Sequence, residues 1–116
     1  MTGQEAVVVA AREHVQVVTL CRGGNALDAT LLAALAAALD RLDAAGSPAV
    51  VLASAHPTVF CPGLDLKKLD RRPRAEVREA MVRYQALLRR LATYPGPLVA
   101  AVGGHAIGGG CLLAMA

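Results

Sequence analysis

The feature that most constrains this sequence is a cluster of glycines directly after an apolar run near the C-terminus. Residues 98–116 carry no formal charge while His105 is neutral, and their length of nineteen would suit a membrane helix. Glycine disfavours such a helix by about 1 kcal/mol at each position relative to alanine. Five glycines occupy the segment: Gly103, Gly104, Gly108, Gly109 and Gly110. We therefore predict a buried strand over 98–102, a glycine-rich turn and the start of a buried helix, with no membrane span.

A second glycine-bearing turn has the same context. The short apolar run Ala49–Ala53 is typical of a strand buried on both faces, and it is followed by a loop over Ser54–Gly63 and a helix start near Leu64. Turns that lead into a helix leave backbone N–H groups unpaired, at an end where the helix dipole favours negative charge. Two such turns that converge would bind an oxyanion.

The remaining periodicity indicates a single α/β domain. Runs at Ala6–Ala11 and Val15–Leu20, separated by a short polar stretch, predict a β-hairpin. Leucines at three- and four-residue steps predict an amphipathic helix over Ala26–Ala45, with Asn25 as its cap. A strand, a helix and another strand in that order favour a parallel sheet. A further helix is predicted from about Arg74 to Thr93.

Cysteine usage and the N-terminal residues bear on the compartment. Cys21, Cys61 and Cys111 form no C-x-x-C pair and cannot all pair with one another, so a reduced cytoplasmic setting is the simplest interpretation. The first residues have neither a basic region nor an apolar core of a signal peptide. Because the three histidines have no ligand spacing, we expect no metal site.

Two motifs make a family resemblance specific. One is Val50-Val51-Leu52 followed by Phe60-Cys61-Pro62-Gly63-Leu64-Asp65-Leu66, and the other is Pro97-Leu98-Val99-Ala100-Ala101-Val102 followed by Gly104-His105-Ala106-Ile107-Gly108-Gly109-Gly110-Cys111. With Asn25-Ala26-Leu27 before them, they resemble the N-A-L, "vvLtg … F-s-a-G-x-D-l" and "P-v-i-A-a-v-n-G-x-a-x-G-G-G" elements of the enoyl-CoA hydratase/isomerase (crotonase) family. The match runs from Val7 to the last residue.

The resemblance implies a crotonase-like (ClpP/crotonase) α/β fold, a spiral of ββα units. Residues 1–116 would be the N-terminal part of that single domain, without its C-terminal helices. It also implies an acyl-CoA thioester as the substrate, no cofactor apart from the coenzyme A of that substrate, and a homotrimer or hexamer when the fold is complete.

By the same resemblance, the backbone N–H groups of Leu64 and Gly109 form an oxyanion hole. Gly63 and Gly108 allow close backbone approach and unusual φ angles. Contacts with substrate or coenzyme A are implied for Arg22, Gly24, Ala26, Pro62, Gly63, Asp65, Leu66, Lys67, His105, Gly108 and Leu112. For Arg22 and Lys67 two interpretations remain open: they contact the phosphates of coenzyme A, or they are ordinary exposed basic residues. We expect Asp65 to cap a helix start rather than to act as a catalytic acid. We expect His105 to be satisfied by local backbone rather than to contact the acyl chain.

One departure from the family pattern limits the prediction of activity. A hydratase of this family carries a glutamate two residues after the triple glycine, where this chain has Leu112, and no Asp or Glu follows Glu79. Some family isomerases carry an apolar residue there and use one carboxylate from later in the chain. The resemblance therefore slightly favours isomerase-like over hydratase chemistry, and the chain alone lacks catalytic carboxylates.

Two alternatives to an enzyme remain. One is a non-catalytic acyl-CoA binder. The other is an RNA-binding face, because the segment 67–90 holds nine basic and three acidic residues, a net charge of +6, while the rest of the chain carries −3. That segment has Tyr84 as its single aromatic residue, which weakens base stacking, and a solvated helix face with ion pairs at i,i+4 explains the charge at least as well.

Overall fold

The computed structural model describes residues 5–116, in which strands and helices alternate as the periodicity predicts. The elements are β1 (Val7–Arg12), β2 (Val15–Leu20), α1 (Ala29–Ala44), β3 (Val50–Ser54), β4 (Val59–Cys61), α2 (Leu66–Leu69), α3 (Arg74–Ala92), β5 (Leu98–Ala100), β6 (His105–Ala106) and α4 (Gly109–Met115). Among residues 5–116, no helix combines the length and the apolar character that a membrane crossing requires.

The larger sheet has the strand order β1-β2-β3-β5. β1 and β2 pair antiparallel up to Arg12 opposite Val15, which confirms the predicted hairpin. β2 pairs with β3 and β3 with β5, both in parallel, because a helix crosses over between each of these pairs along the chain. The parallel arrangement predicted from the strand, helix, strand order is therefore confirmed.

The core lies between this sheet and the helices α1 and α3. The leucines of α1 at positions 31, 35, 39 and 42 are at most 4% exposed, so the periodic stripe does face the core. Phe60 and Leu20 are completely buried in the same cluster. Burial of each large apolar side chain contributes about 1.5–3 kcal/mol. The four leucines are therefore the main source of stability for α1.

The start of α1 differs from the prediction. The helix begins at Ala29, and its cap is Asp28, whose carboxylate accepts a hydrogen bond from the N–H of Leu31 at 2.8 Å. Asn25 was expected to cap the helix, but its side chain is buried and bound elsewhere, to the carbonyl of Phe60 and the hydroxyl of Ser54. It is therefore not free to reach the first turn.

The predicted buried strand over 98–102 is shorter than expected, and one of its faces is open. β5 covers Leu98–Ala100, and the side chain of Val99 is 60% exposed. The strand lies at the edge of the sheet, and within residues 5–116 nothing covers its outer face. The apolar sequence therefore does not correspond to burial on both faces here.

Two very short strands inside predicted loops form a second sheet. β4 pairs with β6 in parallel, with Val59 opposite His105 and Cys61 opposite Ala106. Gly104 precedes β6 so closely against the backbone of Thr58 that any side chain at position 104 would overlap it. This small sheet holds together the ends of the two glycine-bearing turns.

Candidate functional site

The two glycine-bearing turns are in direct backbone contact. A β-carbon on Gly63 would lie 3.0 Å from the amide nitrogen of Gly109 and 3.1 Å from the carbonyl oxygen of Ile107. Gly63 also has φ +95°, a conformation that side chains oppose. The N–H of Ile107 binds the carbonyl of Cys61 at 3.1 Å and closes the contact. Both the space and the backbone angle therefore require glycine at position 63.

The peptide between Gly63 and Leu64 is held from one side. The carbonyl of Gly63 accepts a hydrogen bond from the N–H of Leu27 at 2.7 Å, and the N–H of Asp65 donates to the carbonyl of Leu27 at 3.1 Å. In a trans peptide the C=O and the N–H point in opposite directions. The N–H of Leu64 is therefore directed away from Leu27, and no acceptor for it is found within residues 5–116.

The peptide between Gly108 and Gly109 is oriented in a similar way. Gly108 has φ +53°, and its carbonyl accepts from the N–H of Leu112 at 3.1 Å in the first turn of α4. The N–H of Gly109 consequently points away from the body of α4, and in the described part of the chain it also has no acceptor. Two unpaired donors on touching backbone segments suit an oxygen that gains negative charge.

The three consecutive glycines have different surroundings. Gly110 packs on the carbonyl of Cys61 without room for a β-carbon. A β-carbon on Gly109 would lie 3.0 Å from the hydroxyl of Tyr84 and 3.5 Å from the α-carbon of Gly63. A β-carbon on Gly108 would meet nothing within 4 Å, so the close approach predicted there is wrong, and its positive φ alone favours glycine.

Tyr84 is a site residue that the sequence analysis missed. Its hydroxyl donates a hydrogen bond to the carbonyl of Gly109 at 2.7 Å, and the residue is 5% exposed. Burial, and secondarily the neighbouring Cys61, raise the pKa of the phenol, so it remains a donor at neutral pH. The spacing of Tyr84 to Leu87 and Leu91 on one face of α3 was the available signal.

Asn25 is the second missed residue. Its amide nitrogen donates to the Phe60 carbonyl at 3.0 Å and to the Ser54 hydroxyl at 2.7 Å, and its carbonyl side chain accepts from the N–H of Arg22 at 3.0 Å. The backbone carbonyl of Asn25 accepts from the thiol of Cys61 at 3.2 Å. Asn25 thus fixes the end of β4, and the turn that follows it, against the loop before α1.

Charged side chains converge beside this loop. The carboxylate of Asp28 is 7% exposed and binds both Nε of Arg22 and Nζ of Lys68 at 2.8 Å. Burial would raise the pKa of Asp28, but the hydrogen bonds from Lys68, from the N–H of Leu31 and from Arg22 outweigh it and lower the pKa to about 2. A groove of about 500 Å³ opens next to this cluster, between α1, α2 and α3.

The structure brings together the two segments predicted to contact coenzyme A. The loop with Arg22, Gly24 and Ala26 meets residues 62–67 through a single parallel bridge between Leu27 and Leu64. Asp65 caps α2 by accepting from the N–H of Lys68 at 3.3 Å, which confirms its predicted role as a cap. Three residues of the second segment are exposed: Pro62, Leu66 and Lys67.

The residues predicted at the second turn are open to solvent. Leu112 is 53% exposed on α4. His105 lies in β6 rather than in a loop; its backbone N–H binds Thr58, and no hydrogen bond of its side chain is found within residues 5–116. The prediction that local backbone satisfies His105 is therefore wrong for the described residues, since its side chain has no bond there and its main-chain partner, Thr58, is distant in sequence.

No group of three His, Cys, Asp or Glu residues suited to a metal ion occurs in the described part of the chain, and the three cysteines are free thiols.

In the basic segment 67–90, Arg83 pairs with Glu79 at 2.8 Å and Arg72 with Glu76 at 3.8 Å, both at i,i+4. The burial of Tyr84 removes the single aromatic ring that could have stacked on a base there.

Comparison with known proteins gives concordant matches. A family model described as "Enoyl-CoA hydratase/isomerase" matches residues 10–116. The chain is 35% identical over 95 residues to mouse mitochondrial methylglutaconyl-CoA hydratase, covering 81% of this chain and 30% of that protein. It is 38% identical over 93 residues to mouse mitochondrial enoyl-CoA hydratase domain-containing protein 2, covering 79% and 31%.

Structural similarity agrees with these matches. A crystal structure of an enoyl-CoA hydratase from Bacillus anthracis superposes with a TM-score of 0.88 at 29% identity, covering 95% of this chain and 44% of that one. The predicted crotonase-like fold is thereby confirmed. The chain spans less than half of this solved structure and under a third of the two mouse proteins.

Proposed function

Because the chain belongs to the enoyl-CoA hydratase/isomerase family, we propose that the N–H groups of Leu64 and Gly109 bind the thioester oxygen of an acyl-CoA. The observation that supports this most is the backbone contact between Gly63 and Gly109, next to two N–H groups that have no acceptor in residues 5–116. Negative charge develops on that oxygen when a thioester becomes an enolate, and the two donors stabilise it.

The donors contribute because they are held in place before the substrate binds. Leu27 holds the first peptide and Leu112 the second, so little reorganisation accompanies the reaction. A donor of this kind is worth about 3 kcal/mol, or two to three powers of ten in rate. The proposed chemistry uses the coenzyme A of the substrate and requires no further cofactor.

Isomerase-like chemistry is slightly preferred over hydration. Leu112 occupies the position at which the family resemblance implies a glutamate in hydratases, and no Asp or Glu follows Glu79. A carboxylate that moves the proton must then come from polypeptide outside these 116 residues. The proposed assembly is a homotrimer or hexamer that includes such polypeptide. A cytoplasmic location belongs to the same proposal, and the three free thiols agree with a reducing compartment.

For coenzyme A, the proposal places the phosphates near Arg22 and Lys67. The carboxylate of Asp28 orients Arg22 through its Nε, and within residues 5–116 no hydrogen bond of the two terminal guanidinium nitrogens is found. Lys68, which was not predicted, lies at the same carboxylate and belongs with this group.

The second candidate is a non-catalytic acyl-CoA binder. The observation that favours it is Leu112, because an oxyanion hole without a neighbouring carboxylate binds a thioester but moves no proton. RNA binding is disfavoured by the buried Tyr84 and the ion-paired basic segment.

A test measures binding and carbonyl polarisation together. Crotonyl-CoA labelled with carbon-13 at the thioester carbonyl is titrated by calorimetry, and its carbonyl stretch is recorded by difference infrared spectroscopy. We expect binding with a shift of the stretch to lower frequency, which Gly109→Val abolishes while Gly103→Ala does not, because a β-carbon at Gly103 meets nothing within 4 Å. Binding without any shift would contradict the oxyanion hole. Turnover measured with polypeptide that includes the proposed carboxylate would decide between the enzyme and the binder.

A further inference from the structure

Tyr84 provides a link between α3 and the second donor turn. Its hydroxyl binds the carbonyl of Gly109 at 2.7 Å, and within residues 5–116 no other side chain forms a hydrogen bond with residues 107–110. The tyrosine is 5% exposed, so the bond is largely shielded from water. Side chains of the turn itself do not hold Gly109, because Gly108 and Gly109 have none and a β-carbon at Gly108 would meet nothing within 4 Å.

Gly109 connects this bond to the proposed oxyanion hole. The residue carries the donor N–H on one side and, on the other, the carbonyl that Tyr84 binds. Its neighbour Gly110 is fixed on the Cys61 carbonyl, and the N–H of Leu112 holds the carbonyl of Gly108. Tyr84 adds a restraint from outside α4, and its phenol and Gly63 both approach the side of Gly109 on which a β-carbon would lie.

We propose that Tyr84 is a positioning residue whose hydroxyl fixes the orientation of Gly109 and, through it, the direction of the second oxyanion donor. This inference rests on the proposed function, since the donor is useful only if an acyl-CoA oxygen binds there. Tyr84 touches no reacting atom, and it acts through the backbone of Gly109.

The chain offers a matched control. Tyr94 also donates its hydroxyl to a backbone carbonyl, that of Pro48, at 2.5 Å, and burial raises the pKa of both phenols. Tyr84→Phe and Tyr94→Phe each remove one oxygen and one bond of the same kind. Only the first is next to Gly109, so a general loss of stability affects both variants while a loss of positioning affects one.

The experiment has one readout without ligand and one with it. Without ligand, amide hydrogen exchange in α4 and the amide chemical shift of Gly109 are followed by NMR. We expect exchange about five-fold faster in Tyr84→Phe than in wild type or Tyr94→Phe, in line with the loss of one neutral hydrogen bond. With labelled crotonyl-CoA, we expect the carbonyl shift to be reduced in Tyr84→Phe and kept in Tyr94→Phe.

Incorporation of 4-aminophenylalanine at position 84 restores an N–H donor on the same ring, and we expect it to recover both readouts. This variant also keeps the inference testable if Tyr84→Phe folds poorly. The inference would be overturned if the variant, despite its N–H donor, recovered neither the amide chemical shift of Gly109 nor the carbonyl shift of the ligand. Unchanged exchange and an unchanged Gly109 shift in folded Tyr84→Phe would overturn it too.

The outcomes separate this inference from the proposed function. A full carbonyl shift in Tyr84→Phe, equal to that of wild type, overturns the positioning role and supports the oxyanion hole. If the amide exchange of Gly109 changes in Tyr84→Phe but the ligand shows no carbonyl shift even in wild type, the result supports the bond between Tyr84 and Gly109 as a restraint. The same result would contradict the proposed function.

Discussion

The backbones of Leu27 and Leu64 pair in a single parallel bridge that lies outside both sheets. Through it, the loop before α1 is attached to the peptide that carries the first unpaired donor. Because Leu27 itself is 1% exposed in the core, the bridge has a rigid support. The position of the first donor therefore depends on core packing as much as on its own turn.

Gly63→Ala is expected to abolish the carbonyl shift of bound crotonyl-CoA and to lower the free energy of unfolding by about 1–3 kcal/mol. A methyl group at position 63 would press on the amide nitrogen of Gly109, and φ +95° strains any side chain. Infrared spectroscopy and urea denaturation measure the two effects. Gly103→Ala is the control. A carbonyl shift of wild-type size in Gly63→Ala would argue against the proposed geometry.

Alanine substitutions at Gly108 and Gly110 should distinguish the cost of steric overlap from the cost of an unfavourable backbone angle. We expect Gly110→Ala to lower the free energy of unfolding by about 3 kcal/mol, because its methyl group would overlap the Cys61 carbonyl. Gly108→Ala meets open space and should cost less, about 1–2 kcal/mol, from its backbone angles of φ +53° and ψ −119° alone. Urea denaturation of the two variants provides the comparison, and the reverse order would contradict the packing described.

The buried amide of Asn25 predicts a large effect of its removal. Asn25→Ala should lower the free energy of unfolding by about 2–4 kcal/mol, because the Phe60 carbonyl and the Ser54 hydroxyl lose a buried partner. Asn25→Gly is a matched variant that removes the same bonds but tolerates φ +65°. It should be about 1 kcal/mol more stable than the alanine variant. Equal stabilities would show that backbone strain plays no part.

Stability should fall in acid because of Asp28. The pKa of this carboxyl is about 2 in the folded protein and near 3.8 when unperturbed, so the unfolded chain takes up the proton first as the pH falls. The resulting stabilisation is complete above the unperturbed value and disappears as the pH approaches 2. We expect about 1–2 kcal/mol, reduced from the full linkage value because Arg22 and Lys68 are partly exposed.

Asp28→Asn tests this dependence, since asparagine still caps α1 but carries no charge. Chemical denaturation at pH values from roughly 5 down to 2 should show a shallower loss of stability in the variant than in wild type. Parallel curves would mean that Asp28 does not contribute to acid sensitivity.

Much of the fold could be predicted from periodicity. The hairpin and the leucine stripe of α1 are long enough to show their period, and the structure confirms both. β4 and β6 could not be predicted, because strands of three and two residues are too short to alternate. The exposed Val99 could not be predicted either, since an apolar sequence does not reveal what covers it.

The candidate site shows the same division. Glycine turns after apolar runs predicted two turns that could bind an oxyanion, the family resemblance pointed to Gly63 and Gly109 within them, and the positive φ of Gly63 agrees with that choice. Asn25 was predicted as a helix cap because its long-range partners, Ser54 and Phe60, are distant in sequence. Tyr84 was seen only as an aromatic ring in a basic segment, because its bond to Gly109 depends on how α3 packs on α4.

The contact between Gly63 and Gly109 also bears on the stage of folding at which the two donors are brought together. The elements α2, α3, β5 and β6 all lie between these two residues along the chain, and bringing the ends of so long an interval together costs chain entropy. The hairpin β1-β2 needs only local closure and is free to form early. We therefore expect the donor pair to form late in folding, and the recovery of ligand binding during refolding would report that this interval has closed.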